Sequence, residues 1–199
     1  MRKRAIALAG LAGLIAGGII AGFTAMTSGD APGVQTGKAA IGGPFTLTAA
    51  DGTTVTEDDL LGKPTAIFFG FTFCPDVCPT TLYELSGLMD EMGEAANELN
   101  VVFVSVDWER DKPEDVGAYL GAFDERIVGL TGTEEQIETV TDAYRVYYER
   151  VPVEGGNYTI DHTASVFLMD EEGAFFGTLD YEEPRETMLG KLKRLVESA

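Results

Sequence analysis

The two cysteines of the chain, Cys74 and Cys78, lie within a stretch of five residues in the segment FCPDVCP. A continuous apolar run precedes this segment and apolar residues at helical spacing follow it, which places the cysteines in a loop between a buried strand and a helix. Such loops commonly carry ligands and catalytic groups. A structural disulfide closing so short a loop contributes only about 2 kcal/mol, so a chemical role is favoured over a stapling role.

Three kinds of chemistry suit two thiols at this spacing. The pair exchanges disulfides with a partner, or one cysteine reduces peroxide and the other resolves it, or both thiolates bind a metal. The spacing contains one residue more than the Cys-x-x-Cys motif of disulfide-exchange enzymes. The additional residue argues against the first of these, and the two cysteines alone leave disulfide exchange, peroxide reduction and metal binding open.

The single histidine, His162, is a third candidate metal ligand beside the two cysteines. A lone histidine is often only a packed or surface residue, but two thiolates and one imidazole together make a soft ligand set. Thiolates favour Cu(I), and imidazole also suits Cu(II). Structural zinc takes four ligands and would need a carboxylate or water here, and an iron–sulfur cluster lacks its four cysteines.

Residues 41–199 read as one α/β domain that positions these groups. Short alternating runs around Asp51-Gly52 predict a β-hairpin, and the continuous apolar runs Thr65–Phe71 and Val101–Val106 predict buried strands. Further elements are predicted as helices over Leu82–Leu99, Pro113–Phe123, from Thr133 to Tyr144 and over Met188–Val196, a small strand at Ile127–Leu130, and a late hairpin of Ser165–Met169 with Ala174–Leu179. Parallel crossovers followed by a late hairpin suit a thioredoxin-like sandwich. In that fold, the loop before the late strand, which holds His162, faces the cysteine loop.

Three segments of the domain resemble the Sco family of copper-transfer proteins. They are Gly62–Leu82, Val101–Glu114 and Tyr158–Asp170, and they contain a Cys-Pro-x-x-Cys-Pro motif followed later by Asp-His. The resemblance implies a thioredoxin-like fold in which two cysteines and a histidine, here Cys74, Cys78 and His162, bind one copper ion. It also implies delivery of copper to the binuclear site of cytochrome c oxidase subunit II, or reduction of that subunit's disulfide. The implied partners are that subunit, a thioredoxin-like reductant and another copper chaperone as donor.

Two carboxylates are candidate supporting residues, and one position departs from the family pattern. Asp161 could orient His162 from behind or cap a turn, and Asp107, at the end of a predicted strand, could face the site. Trp108 stands where family members often have proline. That departure affects a neighbouring loop and no ligand.

The charge of the chain is strongly asymmetric. Its formal net charge is −19, yet residues 1–40 carry four basic residues and one acidic residue. The acidic remainder argues against nucleic-acid binding, which needs Lys and Arg on the phosphates. A basic amino-terminal segment before an acidic domain indicates that the two parts of the chain lie in different environments.

The amino-terminal segment predicts a membrane anchor. Nineteen uncharged residues, Ala5–Phe23, follow a basic tip, and about 20 apolar residues span a bilayer core as a helix. This length exceeds a typical signal-peptide core of about 7–15 residues, so we favour an uncleaved anchor over a cleaved signal peptide. The predicted organisation is a tip and transmembrane helix over 1–26, a flexible linker over 27–40 and the domain over 41–199. The basic tip predicts a cytoplasmic amino terminus in a bacterial inner membrane, with the domain in the periplasm.

Overall fold

The central sheet of the domain has seven strands in a computed structural model that describes residues 40–199. Its strands are β1 (Thr46–Ala49), β2 (Thr54–Thr56), β3 (Thr65–Gly70), β4 (Asn100–Ser105), β5 (Ile127–Thr131), β8 (Val166–Met169) and β9 (Phe175–Leu179), and a separate pair is formed by β6 (Tyr148–Pro152) and β7 (Tyr158–His162). The order in the sheet is β2-β1-β5-β4-β3-β8-β9. Strands β3, β4 and β5 run parallel, whereas β8 lies antiparallel to β3. The α/β architecture expected from the apolar pattern is therefore present.

Residues 40–199 contain four α-helices, of which three lie between strands along the chain and the last follows β9. They are α1 (Val77–Met92), α2 (Pro113–Leu120), α3 (Glu134–Tyr144) and α4 (Arg185–Glu197). Helix α3 begins as the capping-box pattern predicts, because the Thr133 hydroxyl accepts from the Gln136 N–H and the Gln136 side chain accepts from the Thr133 N–H. Helix α1 starts earlier than its apolar spacing indicates and ends at Met92, where Gly93 adopts a φ of +59° and a 3-10 segment follows.

The core is built around β3, whose six residues are all buried. Phe68 and Phe69 are fully buried on opposite faces of the strand, since successive side chains alternate across a sheet. Partners on both sides of β3 explain why its sequence is continuously apolar rather than alternating. This strand ends at Gly70, directly before the cysteine loop, so the most deeply packed element of the domain carries the site.

The hairpin β6–β7 corrects the sequence prediction for the segment before β8. We expected a loop over Tyr158–Thr163, but residues Tyr158–His162 form a strand that pairs with Tyr148–Pro152. Both strands are largely half-exposed or exposed, so they lack the apolar run that reveals a buried strand. His162 consequently closes a strand, and it pairs with Tyr148.

The predicted anchor (1–26) and all but the last residue of the predicted linker (27–40) lie outside the described residues. Within residues 40–199, none of the helices combines the length and apolar character needed to cross a bilayer.

Candidate metal centre

The structure brings Cys74, Cys78 and His162 together. Their ligand atoms all lie within 4.8 Å of one another, and Cys78 Sγ is 3.4 Å from His162 Nε2. Neither cysteine is in a disulfide bond. A pocket of about 290 Å³ opens beside the group and is lined by Cys74, His162, Phe71 and neighbouring residues. The three residues predicted from sequence therefore form one compact, solvent-accessible ligand set.

The start of α1 positions the two cysteines differently. Cys78 lies in the first turn of the helix and is fully buried. Cys74 precedes the helix, remains partly exposed, and its sulfur accepts a hydrogen bond of 3.4 Å from the Cys78 backbone N–H. Orphan N–H groups at a helix amino terminus stabilise a negative charge. The loop therefore offers one exposed sulfur that is stabilised as a thiolate and one buried sulfur.

A buried carboxylate that sequence reasoning missed, Asp111, fixes the beginning of the cysteine loop. Its oxygens accept hydrogen bonds from the Thr72 N–H at 2.8 Å, the Thr72 hydroxyl at 2.6 Å and the Ser105 hydroxyl at 2.5 Å. Asp111 is 1% exposed. No local pattern indicates these contacts, because Thr72 is 39 residues away in the chain.

The imidazole of His162 is held so that Nε2 points at the thiols. Its Nδ1 lies 2.9 Å from the Thr163 carbonyl oxygen. Because a carbonyl only accepts hydrogen bonds, Nδ1 carries the proton and the Nε2 lone pair is left for a metal. The ring also packs edge-on against Phe71 and Phe68, with centroid distances of 5.8 and 6.1 Å.

Neither carboxylate predicted as a supporting residue contacts a ligand atom. Asp161 is exposed and lines the pocket, and the Thr163 carbonyl makes the contact at Nδ1 that was one of the two roles considered for Asp161. Adjacent strand residues point to opposite faces, which explains why Asp161 cannot reach the imidazole from behind. Asp107 is fully buried, but it pairs with the guanidinium of Arg110 rather than facing the thiols.

The two thiols have opposite acidities. A hydrogen bond from the Cys78 side chain, helped by the backbone N–H groups of Asp76 and Cys78, lowers the pKa of Cys74 to about 4. The same hydrogen bond, together with burial and repulsion by the Cys74 thiolate, raises the pKa of Cys78 well above its usual range. The metal-free site therefore holds one thiolate, Cys74, and one thiol, Cys78.

Iodoacetamide is expected to modify Cys74 and spare Cys78 in the folded, reduced chain. Because the pKa of Cys74 is about 4, its alkylation rate should stay nearly constant from pH 8 to pH 6 and fall only as the pH approaches 4. An ordinary thiol slows on the order of 100-fold between pH 8 and 6. Peptide mass mapping after timed alkylation gives both rates, and the denatured chain provides the ordinary-thiol control. A 100-fold slowing at Cys74 would contradict the assignment.

Comparisons with known proteins match most of the chain. The family model described as SCO1/SenC matches residues 33–197. The chain is 44% identical over 144 residues to Protein SCO1 homolog 1, mitochondrial, of Arabidopsis thaliana, covering 72% of this chain and 43% of that protein. It is 37% identical over 155 residues to Protein SenC of Rhodobacter capsulatus, covering 77% and 70%. The chain thus spans less than half the length of the plant relative and more than two thirds of the bacterial one.

Solved structures agree with the fold and with the sequence matches. The structure of Bradyrhizobium japonicum ScoI with copper bound superposes with a TM-score of 0.74 at 47% identity, covering 78% of this chain and 99% of that one. Arabidopsis thaliana ScoI with copper bound gives a TM-score of 0.76 at 37% identity, covering 80% and 100%. These similarities confirm the predicted thioredoxin-like α/β fold. Because the family match extends over residues 33–197 and the bacterial relative is well above 30% identity, this chain belongs to the SCO1/SenC family.

Proposed function

We propose that the chain binds one copper ion through Cys74, Cys78 and His162 and transfers it during assembly of cytochrome c oxidase. The observation that carries the proposal is the clustering of the three ligand atoms within 4.8 Å in a chain whose relatives include structures with copper bound. The family resemblance supplies the acceptor, the binuclear copper site of oxidase subunit II.

The chemistry of the ligands supports copper over zinc. Two sulfurs and one imidazole suit both Cu(I) and Cu(II). Structural zinc needs a fourth ligand, and among residues 40–199 no carboxylate joins the Cys74–Cys78–His162 group. The site also has an exposed side, because Cys74 is only partly buried. An acceptor can therefore reach the ion and replace the ligands one at a time.

Redox state should gate copper loading. Oxidation of Cys74 and Cys78 to a disulfide removes two of the three ligands, since only thiolates bind the metal. The structure shows both cysteines free. We therefore include a thioredoxin-like reductant among the partners, with another copper chaperone as the donor of the ion.

Copper transfer tests the proposed role directly. Copper-loaded chain is mixed with the reduced copper domain of oxidase subunit II, the proteins are separated, and the metal on each is measured. We expect copper to leave this chain for the acceptor under reducing conditions. Copper that stays on this chain, while a low-affinity chelator of Cu(I) removes it readily, would contradict the transfer role.

A thiol-disulfide reductase is the second candidate, and the asymmetry of the thiols favours it. An exposed thiolate at Cys74 suits nucleophilic attack, and the buried Cys78 suits resolution of the mixed disulfide. His162→Ala separates the two functions, because the reductase does not need a third metal ligand. Reduction of a subunit II disulfide that survives this substitution, in a variant that no longer transfers copper, would identify disulfide reduction as a separate activity.

The N-terminal anchor completes the proposed function. The uncharged run Ala5–Phe23 behind a basic tip supports a single-pass protein of a bacterial inner membrane, with the domain in the periplasm. Protease added to spheroplasts should digest the domain of the full chain. Protection of the domain until the membrane is broken would reverse this topology.

Gly70→Ala is expected to disturb the copper site from beneath. A Cβ at this position would lie 2.6 Å from Cys78 Sγ and 2.9 Å from Phe103 Cε2, so the Cys78 sulfur must shift from the position that it holds in the ligand group. Overpacking of this kind costs about 1–3 kcal/mol, measured by urea unfolding, and copper affinity should fall with it. Gly177→Ala on β9 is the matched control, because its Cβ meets no atom within 4 Å. Equal copper affinities for the two variants would contradict this prediction.

A further inference from the structure

The hairpin that carries His162 has little backbone support from the rest of the domain. Strands β6 and β7 pair only with each other and form a sheet separate from the central one. Within residues 40–199, no backbone hydrogen bond joins residues 148–162 to another helix or strand. Side chains must therefore set the position of the hairpin, and with it the position of the histidine ligand.

One arginine from the main domain donates two of the hydrogen bonds that reach the hairpin. Arg110 follows β4, and its Nη1 donates to the Tyr158 carbonyl at 3.0 Å and to Asn157 Oδ1 at 3.1 Å. Its Nε donates to the buried Asp107 carboxylate. The Tyr158 hydroxyl donates to the same carboxylate at 2.8 Å. Asp107 thus accepts hydrogen bonds from Arg110 on the domain side and from Tyr158 on the hairpin side. We call this contact between domain and hairpin the joint.

Stacking reinforces this joint. The Arg110 guanidinium lies 3.8 Å from the Tyr158 ring centroid. Arg150, on β6, lies 4.5 Å from the Trp108 ring and 4.9 Å from the Tyr158 ring, and it pairs with Glu109 at 2.8 Å. The Nη2 atoms of both arginines are buried and make no hydrogen bond within residues 40–199. Aromatic rings stack on both guanidinium groups, and Arg150 Nη2 also lies 3.9 Å from Asp107 Oδ1.

The joint and the histidine share a neighbour, the ring of Phe71. Arg110 Cζ is 5.9 Å from the Phe71 ring centroid, and the His162 ring centroid is 5.8 Å from the same ring. Tyr158 and His162 are the two ends of the same short strand. A shift of the hairpin at Tyr158 therefore moves the imidazole relative to Cys78.

We propose that the arginine–aromatic cluster, formed by Asp107, Trp108, Arg110, Arg150 and Tyr158, positions His162 as a copper ligand by docking the β6–β7 hairpin onto the domain. Arg110 is the central positioning residue, because it contacts the hairpin, the buried carboxylate and the ring beside His162. Asp107 acts on the site through Arg110 without touching the metal. This proposal deepens the proposed copper function, but the docking itself exists in the metal-free chain.

Hydrogen exchange of the full, metal-free chain tests the docking independently of copper. In Arg110→Gln, amides of residues 148–162 should exchange about tenfold faster or more, because two hydrogen bonds and a stacked cation are lost. Arg110→Lys keeps a charge beside Asp107 but lacks the planar group, so it should not restore protection. The single variant Tyr158→Phe keeps the stacked ring and Arg110, so it should retain most of the parent's protection. Arg126→Gln, which breaks the ion pair with Asp124 far along the chain from the hairpin, is the matched control and should leave hairpin exchange unchanged.

Copper binding then tests the consequence for His162. Arg110→Gln should alter the Cu(II) absorption spectrum and weaken Cu(II) binding about tenfold or more, as loss of a ligand-orienting contact does. Added to His162→Ala, it should have no further effect, since both changes remove the same ligand. Unchanged hairpin exchange in Arg110→Gln would overturn the proposal, whether or not the chain binds copper. Faster exchange with an unaltered Cu(II) spectrum would overturn the link to His162.

Discussion

Cys78→Ser is expected to abolish tight copper binding while the domain remains folded. Cys78 Sγ is fully buried and lies 3.4 Å from His162 Nε2, so it provides the inner sulfur of the proposed site. A serine hydroxyl is a hard, neutral donor that suits copper poorly. Losing a contact that only orients a ligand costs about 10–100-fold in affinity, so loss of this ligand should weaken Cu(I) binding by about 100-fold or more.

The composition of the chain makes this experiment clean. The protein contains two cysteines and one histidine, so no spare thiol or imidazole replaces the missing ligand. Competition with a Cu(I) chelator gives the affinity, and circular dichroism of the same sample checks the fold. Ser86→Ala, on the same helix, removes a hydroxyl outside the site that bonds to the Leu82 carbonyl, and it should bind copper as the parent chain does. An affinity within about threefold of the parent in Cys78→Ser would remove Cys78 from the site.

Asp111→Ala is expected to cause the largest loss of stability among the substitutions considered. The Asp111 carboxylate accepts hydrogen bonds from the Thr72 N–H, the Thr72 hydroxyl and the Ser105 hydroxyl in the interior. Removing the acceptor leaves these donors without a partner, and each buried unsatisfied group costs about 1–3 kcal/mol. Partial relaxation of the site brings the expected total to about 3–5 kcal/mol.

Urea unfolding of matched variants measures this loss. Asp111→Asn retains one carbonyl oxygen as an acceptor, so it should lose less than Asp111→Ala. Asp58→Ala, at an exposed carboxylate, should change the free energy of unfolding by no more than about 0.5 kcal/mol. A loss in Asp111→Ala that equals the Asp58→Ala value would show that Asp111 does not hold the loop.

The ligand set could be predicted from the sequence because the chain contains only two cysteines and one histidine. Cys74 and Cys78 stand between an apolar strand and a helix, and His162 precedes another apolar strand. Strand β3 could also be predicted from its continuous apolar run, since packing partners on both sides of a strand require apolar residues on both of its faces. Both features depend on residue type and on local spacing, and a single sequence is enough to show these.

The supporting residues could not be assigned in this way because their partners are distant in the chain. The segment around Asp107, Arg110 and Asp111 shows charged residues that are equally typical of an exposed loop. Their roles depend on Thr72, 39 residues earlier, and on Tyr158, 48 residues later. The β6–β7 hairpin was missed for a related reason, since its half-exposed strands are stabilised by side chains of another element and lack an apolar run of their own.

Copper stoichiometry with X-ray absorption tests the central claim most directly. The reduced full chain is loaded with copper and desalted, the copper per chain is determined, and the coordination shell is measured for the parent and for His162→Ala. The account predicts one copper per chain, bound by two sulfurs and one imidazole nitrogen, with the nitrogen contribution lost in His162→Ala. Copper surrounded only by oxygen and nitrogen, or a coordination shell that His162→Ala leaves unchanged, would contradict the assignment of Cys74, Cys78 and His162 as the copper site.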